Sequence, residues 1–375
     1  MADLFVFGTL RHPPLLETVL GHAPRGVTAR LPGYSVYRTE PKGVPGAALC
    51  ETPGTAAEGL LLHGLTPKDL ARVAFYLGGF RDGLREVTVL GPEARETPAL
   101  AHVRGCPPAD CGGLFDLADW VSEWGGLACG AAHEIMPQYG RVTPERMAAL
   151  RPYLAARAWA QQLARQGAPH RLRSGMGRDA VEILRDNPGF EGFFRLRAFD
   201  LRHRRFDGSL SEIVSREGFV AYDAALVLPY DPETDRVLLI EQLRYGPVLR
   251  GDPLPWVLEP VAGLVDAGES PESCVLREAL EEAGLTLRGL RPMVRVYASP
   301  GYSSEFFHCF LGLCTLSEAD NGLGGLAEEH EDIRSHVLPF DEALALVDSG
   351  EVNAGPLAMM LYWLARHRDA LRSGA

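Results

Sequence analysis

The stretch from Gly263 to Leu285, Gly-Leu-Val-Asp-Ala-Gly-Glu-Ser-Pro-Glu-Ser-Cys-Val-Leu-Arg-Glu-Ala-Leu-Glu-Glu-Ala-Gly-Leu, limits what this chain can become more than any other. It reads as a loop running into a helix. Ser270 is a fitting N-cap, Pro271 takes a first-turn position that tolerates proline, and Gly284 supplies the C-terminal stop. Glu278 and Glu282 stand one turn apart on one face, with Glu281 beside them. Like charges at that spacing destabilise an isolated helix, so a positive group is expected against them. Carboxylate oxygens suit a hard cation such as Mg2+. On composition alone this is an acidic, solvated helix. The spacing sets it apart: Gly263, Glu269, Arg277, Glu278, Glu281, Glu282 and Gly284 fall in the pattern G-x5-E-x7-R-E-U-x-E-E-x-G-U, with U aliphatic or small.

A chain of 375 residues exceeds the usual single core, so two domains are expected. The net charge of -12 argues against general affinity for nucleic acid. The seven cysteines are odd in number and scattered, with no C-x-x-C pair. Cys106 and Cys111 lie near one another, but without His or Cys at zinc-like spacing. They read as reduced thiols of a cytoplasmic protein. The N-terminus has no basic segment followed by an apolar core, and no apolar run approaches a membrane span.

In the first half, Asp3 to Phe7 reads as a buried strand that ends in the tight loop Gly8-Thr9-Leu10-Arg11. Glycine there lets backbone N–H groups approach a ligand, although an ordinary turn has the same look. Strand-like runs come next at 34–38, 58–63, 84–90 and 98–104, with one helix at 66–77 capped by Thr66 and Pro67. Strands dominate and helices are few, which predicts a small mixed β-barrel. Residues 143–166 turn helical and Ala-rich, and Pro152 is expected to interrupt or restart that helix. Residues 167–178, rich in Gly and basic residues, read as a linker between domains at 1–166 and 179–375.

The second half alternates strands and helices. Strands are expected at 181–184, 192–196 and 198–204, with Asp207-Gly208 as a turn. The basic run Arg202 to Arg205 fits one solvated strand face, or a phosphate contact. Residues 224–228 and 236–240 form a hairpin joined by the turn Pro229 to Glu233. Beyond the acidic helix, strands are predicted at 290–298 and 306–315, and helices at 340–349 and 355–371.

The Gly263 to Leu285 pattern matches the Nudix box. With Gly192-Phe193-Phe194, Leu239 to Arg244, Leu258 to Gly263, Ala298 to Gly301 with Ser304-Glu305, and Gly325 to Ile333, residues 180–372 resemble the ADP-ribose pyrophosphatase family of Nudix hydrolases. The resemblance implies an α/β/α sandwich and Mg2+-dependent (Mn2+ also serving) cleavage of ADP-ribose to AMP and ribose 5-phosphate. It implies metal ligands Glu278, Glu281, Glu282, Glu331 and the Ala262 carbonyl, and a general base on a loop at Glu329. A structural role falls to Arg277, paired with Glu269. Phe193 and Phe194 would stack on adenine, Arg244 would bind phosphate, Ser299 to Gly301 would shape the terminal ribose pocket, and Glu305 would be a further substrate-binding residue. Arg216 and Glu217 match positions that reach across a homodimer with a swapped segment. Without the resemblance, Phe193 and Phe194 read as core aromatics, and Ala327 to Asp332 as an acidic surface loop. A further substrate-binding Arg of the family falls on Ala221. Another nucleotide sugar or a dinucleotide is an alternative substrate, and a metal-dependent nucleotide sensor an alternative role. The Ser-Gln-Pro-Trp-Pro-Phe run of NADH-cleaving relatives is absent from the sequence.

Phe-Val-Phe-Gly-Thr-Leu-Arg resembles the opening of the gamma-glutamylcyclotransferase-like (AIG2-like) family over about residues 1–130. That implies a ligand loop at Phe7, Gly8, Thr9 and Leu10, with Phe7 at the family's Tyr. The family's acid/base Glu falls on Gly78, which cannot transfer a proton, so a binding or scaffolding module is expected.

Overall fold

A computed structural model describes residues 1–39, 44–78, 83–103, 112–168, 171–326 and 331–373; Cys106 and Cys111 lie outside the described residues. The chain forms two compact units, the first comprising Met1–Ala168 and the second most of the remaining residues.

In the first unit, β1 (Ala2–Phe7), β2 (Gly26–Thr39), β3 (Gly46–Leu65), β4 (Gly83–Leu90) and β5 (Glu96–Val103) close into a barrel in the order β1-β3-β2-β4-β5. Parallel pairing of Leu4 with Leu100 joins the two ends of that order. The runs expected at 34–38 and 58–63 are parts of two long strands. Pro32-Gly33 and Thr52-Pro53-Gly54 look like strand ends in sequence, yet the ladder runs past them. A register shift between Pro32 and Tyr34 takes up the irregularity, with Gly33 and Gly54 at φ of 80° and 85°.

Helices are more numerous here than expected: α1 (Pro13–Leu20), α2 (Pro67–Tyr76), α3 (Leu117–Trp120), α4 (Gly126–Ile135) and α5 (Pro144–Ala164). Thr66 caps α2, as its sequence predicts, and the structure adds a capping box with Asp69. Pro152 does not interrupt α5, which runs through it. A proline inside a helix costs about 3 kcal/mol. Burial of Met147, Leu150, Leu154 and Leu163 along the same helix outweighs that cost.

The second unit opens with the antiparallel sheet β6 (Val181–Glu191), β7 (Arg195–His203) and β8 (Val214–Val220). Its main sheet comes next, from β9 (Asp223–Asp231), β10 (Arg236–Leu243), α6 (Tyr245–Arg250), β11 (Trp256–Glu259), β12 (Val261–Leu264), α7 (Pro271–Ala283), β13 (Gly289–Tyr297), β14 (Phe306–Leu313), β15 (Gly322–Gly324) and β16 (Ile333–Pro339) to α8 (Phe340–Ser349) and α9 (Gly355–Arg372). The order is β13-β14-β9-β10-β16-β15, with β11 on β10 and β12 on β9. Every residue of β9 is buried. Its Ala224, Leu226, Leu228 and Tyr230 face Phe340, Leu357, Met360 and Leu364 of α8 and α9, while α7 packs across β9 and β12. The fold is α/β, helices covering a mixed sheet.

Two local expectations need correction. Pro229, Tyr230 and Asp231 belong to β9 rather than to a turn. Pro229 is accommodated because β14 runs parallel beside it, opposite Gly312, and β10 pairs with β9 only through Tyr230 and Asp231. The stretch at 192–196 is not one strand: Gly192 to Phe194 make the turn between β6 and β7, closed by Gly192 N–H donating to Phe194 O at 3.0 Å.

Candidate active site

Helix α7 begins and ends where its capping residues dictate. Ser270 Oγ accepts from Ser273 N–H at 3.1 Å, Pro271 is the first residue, and Gly284 takes φ of 64° at the C-cap. This fixes the phase of the helix, so Glu278 and Glu282 both turn inward and are buried, 9% and 2% exposed. Glu282 Oε2 accepts from the Ala262 N–H at 3.0 Å, which ties the helix to β12. Glu278 lies directly over Gly263: a Cβ there would sit 1.7 Å from Glu278 Oε1. The first box glycine is therefore required by space rather than by its backbone conformation.

Arg277 is the positive group that the clustered acids call for. Its Nε and Nη2 grip Glu269 at 3.2 and 3.1 Å, locking the loop to the helix. Its Nη1 also donates to Glu278 Oε1 at 2.6 Å and to Glu281 Oε2 at 3.0 Å. Burial opposes its charge, but the bonds to Glu269 and the field of Glu278 hold it above its ordinary range.

One arginine does not neutralise the cluster. Burial pushes Glu278 up to about 7; Arg277 opposes this, and Glu281 and Glu331 add to it. Burial likewise raises Glu282, with the Ala262 N–H opposing and Glu278 and Glu331 reinforcing. Glu331 thus shares the field of both buried carboxylates, and its Oε2 accepts from the Leu326 N–H at 3.1 Å. Among the described residues no three His, Cys, Asp or Glu side chains already converge as a ligand cluster. The site nonetheless suits a divalent ion, since its oxygen donors are hard and its buried charge is in excess. Glu329 lies outside the described residues.

The remaining expected contacts form a second group. Arg244 Nε donates to Glu259 Oε2 at 2.6 Å, and the same guanidinium opposes the upward push of burial on Glu305. Glu259 has no role assigned from sequence. Its place on β11 opposite Ile240 of β10 aims it at Arg244, a pairing that only the register reveals. Ser299 and Gly301 shape a turn in which Ser299 O accepts from Tyr302 and Ser303 N–H. That turn is held to β8, because Phe219 N–H donates to Tyr302 O at 2.7 Å. Ala221 is buried, and its N–H donates to Ser304 Oγ at 2.9 Å.

Phe193 and Phe194 are not core residues. They sit at the β6–β7 turn edge-to-face, centroids 4.7 Å apart, against Tyr222, and remain 40% and 41% exposed. Arg216 and Glu217 lie exposed on β8 opposite Phe199 and Ala198, separate from the box residues. The basic run fits the solvated reading: Arg202 pairs with Glu182 at 2.7 Å, and Arg204 donates to Gly208 O.

In the first unit, Phe7 leads into a tight turn of Gly8, Thr9, Leu10 and Arg11, with Gly8 at φ of 55°. A Cβ at Gly8 would meet Ala47 Cβ at 2.3 Å. At Gly78, just past α2, a Cβ would lie 2.8 Å from Phe75 O and 3.0 Å from Pro144 Cβ, so no acid side chain fits there without rearrangement.

Residues 221–358 match the NUDIX domain family, and residues 4–121 match the family described as Gamma-glutamyl cyclotransferase, AIG2-like. The chain is 40% identical to the ADP-ribose pyrophosphatase of Escherichia coli K12 over 205 residues, 55% of this chain and 97% of that protein. It is 39% identical to the ADP-ribose pyrophosphatase of Haemophilus influenzae over 186 residues, 49% of this chain and 85% of that one. A GDP-mannose pyrophosphatase of Enterobacter sp. is 31% identical over 184 residues, 49% of this chain and 94% of that protein. The chain belongs to the ADP-ribose pyrophosphatase family of Nudix hydrolases, with an AIG2-like gamma-glutamyl cyclotransferase domain ahead of the Nudix region.

Proposed function

We propose that the second unit hydrolyses the pyrophosphate of ADP-ribose to AMP and ribose 5-phosphate. The observation that carries this reading is the pair Glu278 and Glu282, buried one turn apart with the charge of Glu331 acting on both. Mg2+, or Mn2+, would be held by Glu278, Glu281, Glu282, Glu331 and the Ala262 carbonyl; when bound it offsets the pyrophosphate charge and orients the attacking water. Glu329 would take the proton from the attacking water. Arg244, steadied by Glu259, meets a phosphate oxygen. Phe193 and Phe194 stack on adenine, Ser299 and Gly301 shape the terminal ribose pocket, and Glu305 is a further substrate-binding residue. Arg216 and Glu217 would reach the substrate of a second copy in a homodimer. The exposed Phe190, Phe219 and Ile213 on and beside the three-stranded sheet support such an association. The enzyme is expected in the cytoplasm. Among the described residues no helix is long and apolar enough to cross a membrane.

Purified protein should release AMP from ADP-ribose with Mg2+, and Glu329→Gln should bind ADP-ribose while its turnover falls at least about 100-fold. Unchanged turnover in that variant would remove Glu329 from the mechanism. A second reading, another nucleotide sugar, draws on Ala221, where the family carries a substrate-binding Arg, and on the likeness to GDP-mannose pyrophosphatases. A substrate panel with product chromatography separates the two.

A further inference from the structure

We propose that Tyr222 is a positioning residue for the base of the substrate: buried in the link between β8 and β9, it sets the corner in which Phe193 and Phe194 receive that base. This rests on the reading of the two phenylalanines as the adenine contacts. Their rings stand at 89° to one another, centroids 4.7 Å apart, so they form a corner rather than a flat shelf. A planar base laid on the face of one ring meets the edge of the other. Affinity for the base therefore depends on the angle between the rings as well as on their area.

The β6–β7 turn alone does not set that angle. The hydrogen bond from Gly192 N–H to Phe194 O closes the turn but holds only backbone, so the side-chain torsions need another support. Tyr222 touches both rings: its centroid lies 5.3 Å from Phe193 at 66° and 6.1 Å from Phe194 at 37°. Phe219 of β8 braces Phe194 at 6.1 Å and 84°. Of these four rings Tyr222 alone is buried; at 1% exposed it does not reach the base and acts through the two phenylalanines. Its own place is fixed from either side along the chain. Ala221 N–H donates to Ser304 Oγ at 2.9 Å. Asp223 O accepts from Val265 N–H at 3.0 Å, and Asp223 Oδ2 lies 2.7 Å from His308 Nε2. Tyr222 thereby carries the fixed geometry of β9 to a turn that belongs to the three-stranded sheet. Leucine in its place keeps an apolar filling but offers no ring, and so no preferred angle.

Isothermal titration of full-length wild type, Tyr222→Leu and Tyr222→Phe with AMP and with ribose 5-phosphate, which has no base, tests the proposal beside steady-state cleavage of ADP-ribose with Mg2+. Tyr222→Leu should weaken AMP binding and raise KM at least about fivefold, while ribose 5-phosphate affinity and kcat stay within about twofold of wild type. Tyr222→Phe should restore AMP binding and KM. A general loss of structure would instead lower both affinities and kcat together. Circular dichroism establishes that each variant is folded. If Tyr222→Leu does not fold, selectively labelled wild type decides: the Tyr222 ring should keep nuclear Overhauser contacts with both phenylalanines in the AMP complex, and loss of either overturns the proposal. Unchanged AMP affinity in folded Tyr222→Leu, an equal loss for ribose 5-phosphate, or no rescue by Tyr222→Phe overturns the role of Tyr222 while the substrate reading stands. A wild type that neither binds AMP nor cleaves ADP-ribose overturns the substrate reading, and the role of Tyr222 falls with it.

Discussion

Replacing Gly263 with alanine asks whether the buried position of Glu278 matters to turnover. The added Cβ would lie 1.7 Å from Glu278 Oε1 and 2.1 Å from its carboxyl carbon, where ordinary contact begins near 3.4 Å. The carboxylate must therefore retreat by about 1.7 Å, which also pulls it from Arg277 Nη1, now 2.6 Å away. Misplacement of about 1 Å in a reacting constellation costs on the order of 100-fold in rate. Overpacking of this kind costs about 1–3 kcal/mol in stability, so the fold should survive. Gly263→Ala is expected to lower kcat for AMP release from ADP-ribose with Mg2+ by about 100-fold or more, with a modest fall in melting temperature. Gly289→Ala is the control, since its nearest neighbour beyond its own chain segment is Leu313 Cδ1 at 3.9 Å. If Gly263→Ala keeps kcat within about threefold of wild type, the carboxylate does not need that place, and the steric account of the box glycine fails.

Arg277→Lys keeps the charge but loses the fork that holds Glu269, Glu278 and Glu281. Urea titration followed by a probe in the second unit should show a loss of about 1–3 kcal/mol; an unchanged midpoint would reduce that network to a surface ornament. Asp69 is held down to about 2: burial opposes its ionisation, but hydrogen bonds from Thr66 and His22 outweigh it. Its folded value lies below its ordinary 3.8, so its contribution is present above that pH and is lost as pH falls through about 2. Asp69→Asn should therefore destabilise the first unit by about 1 kcal/mol near neutrality, and the gap should close in acid. A gap that widens on acidification would contradict the assignment.

The acidic helix is legible from sequence in both position and phase because local chemistry alone fixes it. Ser270, Pro271 and Gly284 set its ends, and its face follows from the period. Thr66 with Pro67 at the start of α2, and the two C-terminal helices, are readable for the same reason. What escapes depends on partners distant in the chain. Pro152 obeys a local rule that burial overrides, and Pro229 sits in a strand because a parallel neighbour tolerates it. Glu259 needs the β10–β11 register to find Arg244. Phe193 and Phe194 read as core from their apolarity, but the turn they occupy leaves them half exposed. Arg277 is expected on Glu269; its further grip on Glu278 and Glu281 requires the three-dimensional arrangement of the loop around the helix.

The position of β9 bears on how this protein should lose activity when heated. It is buried throughout, with β14 along one edge and β12 and β10 along the other, and Ala262 pairs with its Leu226. Amides there should exchange with solvent only when the whole unit opens, so the carboxylate cluster shares the slowest motions of the molecule. The turn bearing Phe193 and Phe194 belongs instead to a three-stranded sheet outside that ladder, with exposed apolar side chains and fewer buried contacts. Its amides should exchange first. If Phe193 and Phe194 hold the substrate and the carboxylate cluster breaks the bond, as proposed, heating would weaken the hold on substrate first, and KM should climb at temperatures where kcat is still rising.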